Sequence, residues 1–490
     1  MPCYLAHRGV WSRKSIQALY AEAHGGDRPA LHRSLGVLNL TAFGVGNTVG
    51  AGIFVLTGTV AALRAGPGVT LCFIIASVAC FFAGLCYAEY ASMVPVAGSA
   101  YSYAYATFGE LIAWMIGWCI MFEYLFSASL VAISWSGYVT SSLGDLGIHI
   151  PAVLANAPLR ADATDHIIMT GAWLNLPAVL VTLACTALLI AGTQKSAMVN
   201  SVIVVAKVLA ILVLVAACLP HIDTNLWHPF IPPNTGKLGD FGWSGVLRGA
   251  GIVFFAYIGF DGVSTLAEEA KNPQRTMPLS LGLSLLICTT LYIAVSLAVT
   301  GIADYHLLNV PDPLYRALSL AHANLNWLKV LVAVVAGLGL IPVILLSLLG
   351  QIRIFYAMGR DGLLPEALSR CSVRFRTPHI GTLVTGGCAA LVAGFFPLDL
   401  LGELISIGTL MAFAIVCAGI IILRRRMPDT HRPFRTPLVP LVPILGVISC
   451  VVLMVFLPIS TWVRLAIWLV IGFAIYFGYG QKHSKLRDER

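Results

Sequence analysis

The stretch Gly44-Val45-Gly46-Asn47-Thr48-Val49-Gly50-Ala51-Gly52-Ile53-Phe54 lies within the first long apolar run of the chain. Four glycines in nine positions weaken any helix, each by about 1 kcal/mol relative to alanine. A helix that opens near Gly50 to Gly52 frees backbone N–H groups at the start of its outer half. Such an end carries partial positive charge and binds carboxylates. Close packing of helices through small residues accounts for the same glycines without a ligand. This stretch by itself leaves both readings open.

A second interruption weighs between them. Phe254-Phe255-Ala256-Tyr257-Ile258-Gly259-Phe260-Asp261-Gly262 sets two glycines and an acid in the middle of another apolar run. An opening there frees carbonyl oxygens that suit an ammonium group. This run is five spans after the first. Interrupted helices at corresponding positions of two halves point to a transporter's binding site.

Composition sets the class. The 490 residues are 58% hydrophobic and 11% charged, with mean hydropathy +0.86. Soluble domains carry about 25% charged residues, so this chain reads as an all-α integral membrane protein. A membrane-crossing helix needs roughly 20 mostly apolar residues. Twelve such runs are expected, at 36–62, 68–93, 110–140, 173–192, 198–219, 244–267, 279–302, 328–357, 379–396, 401–423, 438–457 and 461–480.

The formal net charge of +8 would suggest nucleic acid as a partner of a soluble protein. Here Lys and Arg sit in short loops between apolar runs, where they set topology instead. An even number of spans puts both termini on one side. With that side cytoplasmic, only Arg64, Arg160, Lys237, Arg248, Arg316, Lys329 and Arg464 of the 30 Lys and Arg fall outside, and Lys207 lies within a span. Both termini are therefore expected in the cytoplasm. The twelve cysteines lie mostly in apolar runs and form no CxxC or Cys/His cluster. They read as small apolar residues, and no metal or cofactor is expected. The polar segment before Ser34 has no signal-peptide core.

Lys207 sits in Val202-Ile203-Val204-Val205-Ala206-Lys207-Val208-Leu209, and its own span offers no acid to pair with it. A lysine in mid-membrane costs about 3 kcal/mol, which argues for a function. Burial disfavours the charged form of a lysine, which suits Lys207 to carrying a proton. Snorkelling to an interface is the competing reading, and the central position speaks against it. Glu123 and Asp261 are the other deeply placed ions. Each is a candidate partner for Lys207 or for a cationic substrate, or else a protonated structural acid. Glu89 and Glu403 lie nearer span ends and read as interfacial.

Several of these motifs resemble a known family. The Gly50–Phe54 run, Phe254–Asp261 and Glu268-Glu269-Ala270-Lys271-Asn272-Pro273-Gln274-Arg275 look like signatures of the amino acid–polyamine–organocation superfamily. So do Pro95, Gly98, Tyr101, Tyr103, Gly109, Glu110, Gly117 and Trp118, and the stretch from Arg353 to Leu364. The likeness runs from about residue 33 to 480 and is nearest to bacterial homologues of the cationic amino acid transporter family. It implies a LeuT-type fold with discontinuous helices 1 and 6. The chain then divides into a cytoplasmic segment 1–35, a core 36–424 with inverted repeats 36–219 and 244–424, peripheral helices 425–480 and a cytoplasmic tail 481–490.

The resemblance places the substrate carboxylate on amides near Gly50, Ala51 and Gly52. It places the ammonium on carbonyls near Phe255, Ala256 and Ile258. It sets Lys207 where sodium-coupled relatives hold their ion. Helix 8, Ala336 to Ser347, is nearly devoid of the hydroxyls that a sodium ion would need, and Pro342 departs from the small, hydroxylated pattern of the family. The expected function is therefore proton-coupled symport of L-amino acids across the plasma membrane by alternating access. Ile344 is expected beside the substrate side chain, favouring small neutral amino acids such as alanine, with cationic ones admitted if Asp261 or Glu123 lines the pocket. An exchanger with the same site and a non-transporting amino acid sensor are the alternatives. No HExxH, GxSxG or paired-aspartate constellation supports an enzyme.

Overall fold

A computed structural model describes residues 10–14, 35–50, 52–93, 99–161, 167–191, 197–260, 263, 270–321, 325–370 and 378–485. Ala51 and Asp261 lie outside the described residues. Helices dominate, as expected where backbone groups must be satisfied within each segment. A hairpin of two three-residue strands, Leu159–Ala161 and Ile167–Met169, is a small exception to the all-α reading.

Among the described residues, seven helical runs are long and apolar enough to cross a membrane, and three shorter apolar helices join them. The first run, Val37–Met93, is not one rod. It comprises α1, Val37–Thr48, then a helical segment 52–65 of π turns around one α turn, then α2, Val69–Met93. Gly66 ends the 52–65 segment at φ +58°, in the left-handed region that favours glycine, and Pro67 begins the turn into α2. The chain continues through α3, Ser99–Thr107, α4, Glu110–Asp145, α5, Leu176–Ala191, α6, Ala197–Cys218, and α7, Gly242–Val253. Then come α8, Pro273–Ile302, α9, Pro313–Leu320, α10, Asn326–Arg360, α11, His379–Phe395, α12, Leu398–Arg426, α13, Leu441–Val455, and α14, Ile459–Ile475. Each of the twelve ranges read from the sequence holds a helical stretch.

The outward faces of these helices are apolar: Leu180, Leu209, Leu286, Leu338, Leu391 and Val470 are all exposed. A surface of this kind is stable against lipid and not against water. Inside, α4 and α10 form the most extensive helix pair. Ser127 and Ser347 hydroxyls meet at 3.1 Å, Trp135 Nε1 donates to Gly337 O at 2.8 Å, and Lys329 Nζ lies 3.3 Å from Asp145. These three contacts fix an antiparallel register. Pro342 lies inside α10, where it removes one helical hydrogen bond.

Charges gather at the two ends. Glu89 and Glu403, expected at the interface, are buried and fully engaged. Glu89 takes Arg424 through Nε at 3.0 Å and Nη2 at 2.7 Å, and accepts the Thr436 N–H at 2.8 Å. Glu403 takes Arg248 at 2.7 Å and the Thr461 hydroxyl at 3.0 Å, while Asp240 pairs with Arg64 at 2.5 Å. Partners on other elements compensate the burial of these acids. The ten described cysteines are all free, nine of them buried.

Candidate functional site

Helix α1 stops at Thr48 because Val49 turns extended, φ −73° and ψ 95°. Its glycines serve packing first. Gly44 abuts Ser284 of α8, Gly46 abuts Val204 of α6, and Gly52 abuts Ala256, each so closely that a Cβ would collide. At Gly50 a Cβ would stand 3.0 Å from Val343 Cγ2 of α10. Small-residue packing and helix interruption are thus both true of this stretch.

The second interruption follows α7. The helix tightens into the 3-10 turn Phe254–Tyr257, and Ile258 is extended at φ −60° and ψ 135°. Gly259 then takes φ +109°, with the Asn47 carbonyl 2.9 Å from where a Cβ would be. The two breaks therefore lie against each other, Gly52 on Ala256 and Asn47 on Gly259.

Tyr292 of α8 joins them. Its hydroxyl lies 2.8 Å from Thr48 O, the last residue of α1, and 2.7 Å from Ala256 O. One hydroxyl proton is shared between two carbonyls. A second tyrosine, Tyr138 of α4, donates to Phe54 O at 2.8 Å. Neither was singled out from the sequence. The signal available was a tyrosine deep in an apolar span, where its hydroxyl must find a partner.

Lys207 reaches the same place from α6. Its ammonium donates to Gly46 O at 3.2 Å and Val49 O at 2.9 Å, and the residue is 2% exposed. The Gly46 carbonyl would be answered by the residue-50 N–H if α1 continued; the break leaves it to Lys207. A cation at a helix C-terminus also meets the negative end of the dipole. Gly339 of α10 makes room, since a Cβ there would lie 2.7 Å from Lys207 Cδ. Among the described residues Lys207 donates to these two carbonyl oxygens; Asp261, a candidate partner, lies outside the described residues.

The remaining expected residues divide. Gly50, Gly52, Phe255, Ala256 and Ile258 lie at the two breaks. The Phe255 carbonyl accepts Ile258 N–H at 3.0 Å and the Ala256 carbonyl accepts Tyr292, so both have protein partners in this state. Ile344 is wholly buried, and its neighbour Val343 is the α10 residue against Gly50. Glu123 is buried on α4, one turn from Ser127. The antiparallel register sets it across from Gln351, whose Oε1 is buried without a hydrogen-bond partner among the described residues.

Residues 35–476 match the family described as amino acid permease. The chain belongs to this family. It is 43% identical over 480 residues to the branched-chain amino acid permease BcaP of Bacillus subtilis (strain 168), covering 98% of this chain and 99% of that protein. It is 41% identical over 477 residues to the methylthioribose transporter of the same strain, covering 97% and 99%. The vacuolar cationic amino acid transporter 2 of Arabidopsis thaliana is 36% identical over 423 residues, 86% of this chain and 64% of that protein. The permease is accordingly a multi-pass membrane transport protein and not an enzyme. No cluster of His, Cys, Asp and Glu that would hold a metal occurs among the described residues.

Proposed function

We propose that this permease is a proton-coupled symporter of L-amino acids in the plasma membrane, with twelve crossings and a LeuT-type core. The observation that carries the coupling is the Lys207 ammonium on the Gly46 and Val49 carbonyls, at the broken end of α1. Protonated, Lys207 supplies a charge to that helix end. Losing the proton removes the attraction and loosens the join between α6 and α1, which links proton movement to helix movement. The twelve-crossing reading rests on helical stretches in all twelve ranges and on tails that meet at one residue: Lys14 pairs with Asp361 at 2.8 Å, and Lys485 N–H donates to Asp361 O at 3.1 Å. An even number of crossings puts both on one side, and the Lys and Arg bias makes that side cytoplasmic.

The zwitterionic head of the substrate belongs at the two breaks: the carboxylate at Gly50, Ala51 and Gly52, the ammonium on carbonyls of Phe255, Ala256 and Ile258. Binding there displaces Tyr292 from Ala256 O and parts Gly52 from Ala256. Val343 and Ile344 offer no hydrogen bond to a side chain, which favours small or branched apolar amino acids over guanidinium groups.

The test is uptake into proteoliposomes of radiolabelled alanine, branched-chain and cationic amino acids, with methylthioribose included because one relative carries that name. Accumulation is expected to follow an inward proton gradient and to persist when choline replaces sodium. A sodium requirement, or accumulation without a proton gradient, overturns the coupling. Uptake of methylthioribose in place of amino acids overturns the substrate class.

A further inference from the structure

Asp312 precedes α9, at the position where a carboxylate ordinarily accepts the first free amides of a helix. Here it makes no such bond. Its carboxyl turns to α4 instead and accepts the Ser141 hydroxyl at 2.6 Å. The residue is 7% exposed and forms no ion pair among the described residues. Arg316, one turn on, donates its N–H to Asp312 O, and its side chain is exposed. The other charged or titratable groups on the surrounding elements are engaged or distant. Asp145 of α4 takes Lys329 of α10 at 3.3 Å and the Tyr315 hydroxyl of α9. Tyr138 of α4 donates to Phe54 O, and Arg64, the one charge of the 52–65 segment, is held by Asp240. Asp304 and His306, earlier in the same connection, pair with each other in the open, and α8 carries only Arg275, at its far end.

The segment that carries Asp312 sits on small residues. Gly137 of α4 leaves room for Pro311, 2.7 Å from where a Cβ would stand, and Gly58 does the same for Pro313 and the Leu308 carbonyl. Ser134 of α4 is fully buried beneath the segment and donates to Pro311 O at 2.9 Å. This seat lies at the Lys329 end of the α4–α10 pair, opposite the Asp361 end where the tails meet. A buried carboxylate without a cation beside it is costly, and the neutral acid far less so. Burial accordingly pushes the Asp312 carboxyl up to about 6, against about 3.9 for an aspartate in water.

We propose that Asp312 is a proton-binding site separate from Lys207: residues 311–315 seat on α4 as a lid with Asp312 protonated, and lift when its carboxyl ionises. Closing takes one proton from the medium on that side of the membrane, and opening returns it to the same side. The site therefore sets access and carries no proton across. Its bound proton favours the closed lid in acid. That advantage falls by up to about tenfold per pH unit as pH rises between the exposed and the buried values. The inference rests on the alternating-access reading above, in which this end of α4 opens to admit substrate.

Ser134 supplies the reporter, since it is covered by Pro311 and bared when the segment lifts. Ser134→Cys in the full-length protein is labelled with N-ethylmaleimide and read by mass spectrometry, with buried native Cys450 as control. Asp312→Asn, nearly the same in shape, fixes the neutral form. The two proteins are compared at one pH at a time, which cancels the pH dependence of the thiol itself. Near pH 7 the Ser134→Cys protein should label several-fold faster than its Asp312→Asn version. Near pH 5 the two rates should converge, and Cys450 should react alike in both proteins at each pH. Equal rates near pH 7, or a difference that persists unchanged near pH 5, overturns the proton site. So does a parallel difference at Cys450, which would mean general loosening of the fold. The readout needs neither substrate nor gradient, so its failure is distinct from a failure of amino acid uptake.

Discussion

Removing the Lys207 ammonium leaves the Gly46 and Val49 carbonyls unanswered and takes the charge from the end of α1. Lys207→Ala is therefore expected to abolish accumulation driven by a proton gradient. Substrate counterflow across equal pH should persist. Full concentrative uptake by the folded variant would remove Lys207 from coupling. The glycines of the first break separate by neighbour. A Cβ on Gly50 meets a valine methyl at 3.0 Å, which gives way; one on Gly52 meets the backbone of Ala256, which does not. Gly52→Ala should cost binding and uptake far more than Gly50→Ala, and Gly52→Leu should abolish ligand binding. Equal affinities for the two alanine variants, measured by ligand-induced thermal shift, would place the tight contact elsewhere. Lysine in a span was legible as an anomaly of composition. Its partners were not, because carbonyls of a broken helix leave no mark on the sequence.

At the scale of elements, the interrupted helices pack break on break, and Tyr292 spans the join. Tyr292→Phe leaves two buried carbonyls to share fewer donors, at about 1–3 kcal/mol. The variant should melt at lower temperature in detergent and take up substrate more slowly. An unchanged melting temperature would show those carbonyls paired in another way. Gly259 sets a related limit, since an L-residue in the left-handed region costs about 1–2 kcal/mol and its Cβ would also crowd Asn47 O. Positions of both breaks were legible from glycine spacing. Val343, which the sequence did not single out, is the α10 residue against Gly50, one position before Ile344, the residue expected beside the substrate side chain. Successive helix residues differ by about 100° in direction, so a shift of one changes the face entirely.

On the scale of the molecule, the described part of the connection between α8 and α10 folds in as a lid over α4 and the 52–65 segment. Pro311 O accepts the Ser134 hydroxyl at 2.9 Å, and Pro313 fills the space over Gly58. Asp312 in this connection is buried, which pushes its carboxyl up to about 6, although the Ser141 hydroxyl 2.6 Å away favours its ionised form. A carboxyl raised in the folded state contributes stability that is present below its unfolded pKa and lost as pH rises through the folded one. The purified permease should therefore lose thermal stability from pH 4 towards pH 7 through this residue. Asp312→Asn should flatten that part of the profile and raise the melting temperature at pH 7. An unchanged slope would mean that the lid opens before Asp312 ionises.

The sequence by itself determined the membrane class, the twelve helical ranges, the two interruptions and the anomaly of Lys207. Each follows from a local property: apolar length, glycine spacing, a charge where none is cheap. Only the tertiary structure decided that Gly44, Gly46 and Gly52 are contact points, that Lys207 and Tyr292 answer the broken ends of α1 and α7, and that Glu89 and Glu403 are buried and paired. It alone showed both tails meeting at Asp361, a residue that the sequence marked only as part of a motif. These pairings join residues up to several hundred positions apart. They arise because a buried donor, acceptor or charge must find its complement in whatever chain the fold brings beside it.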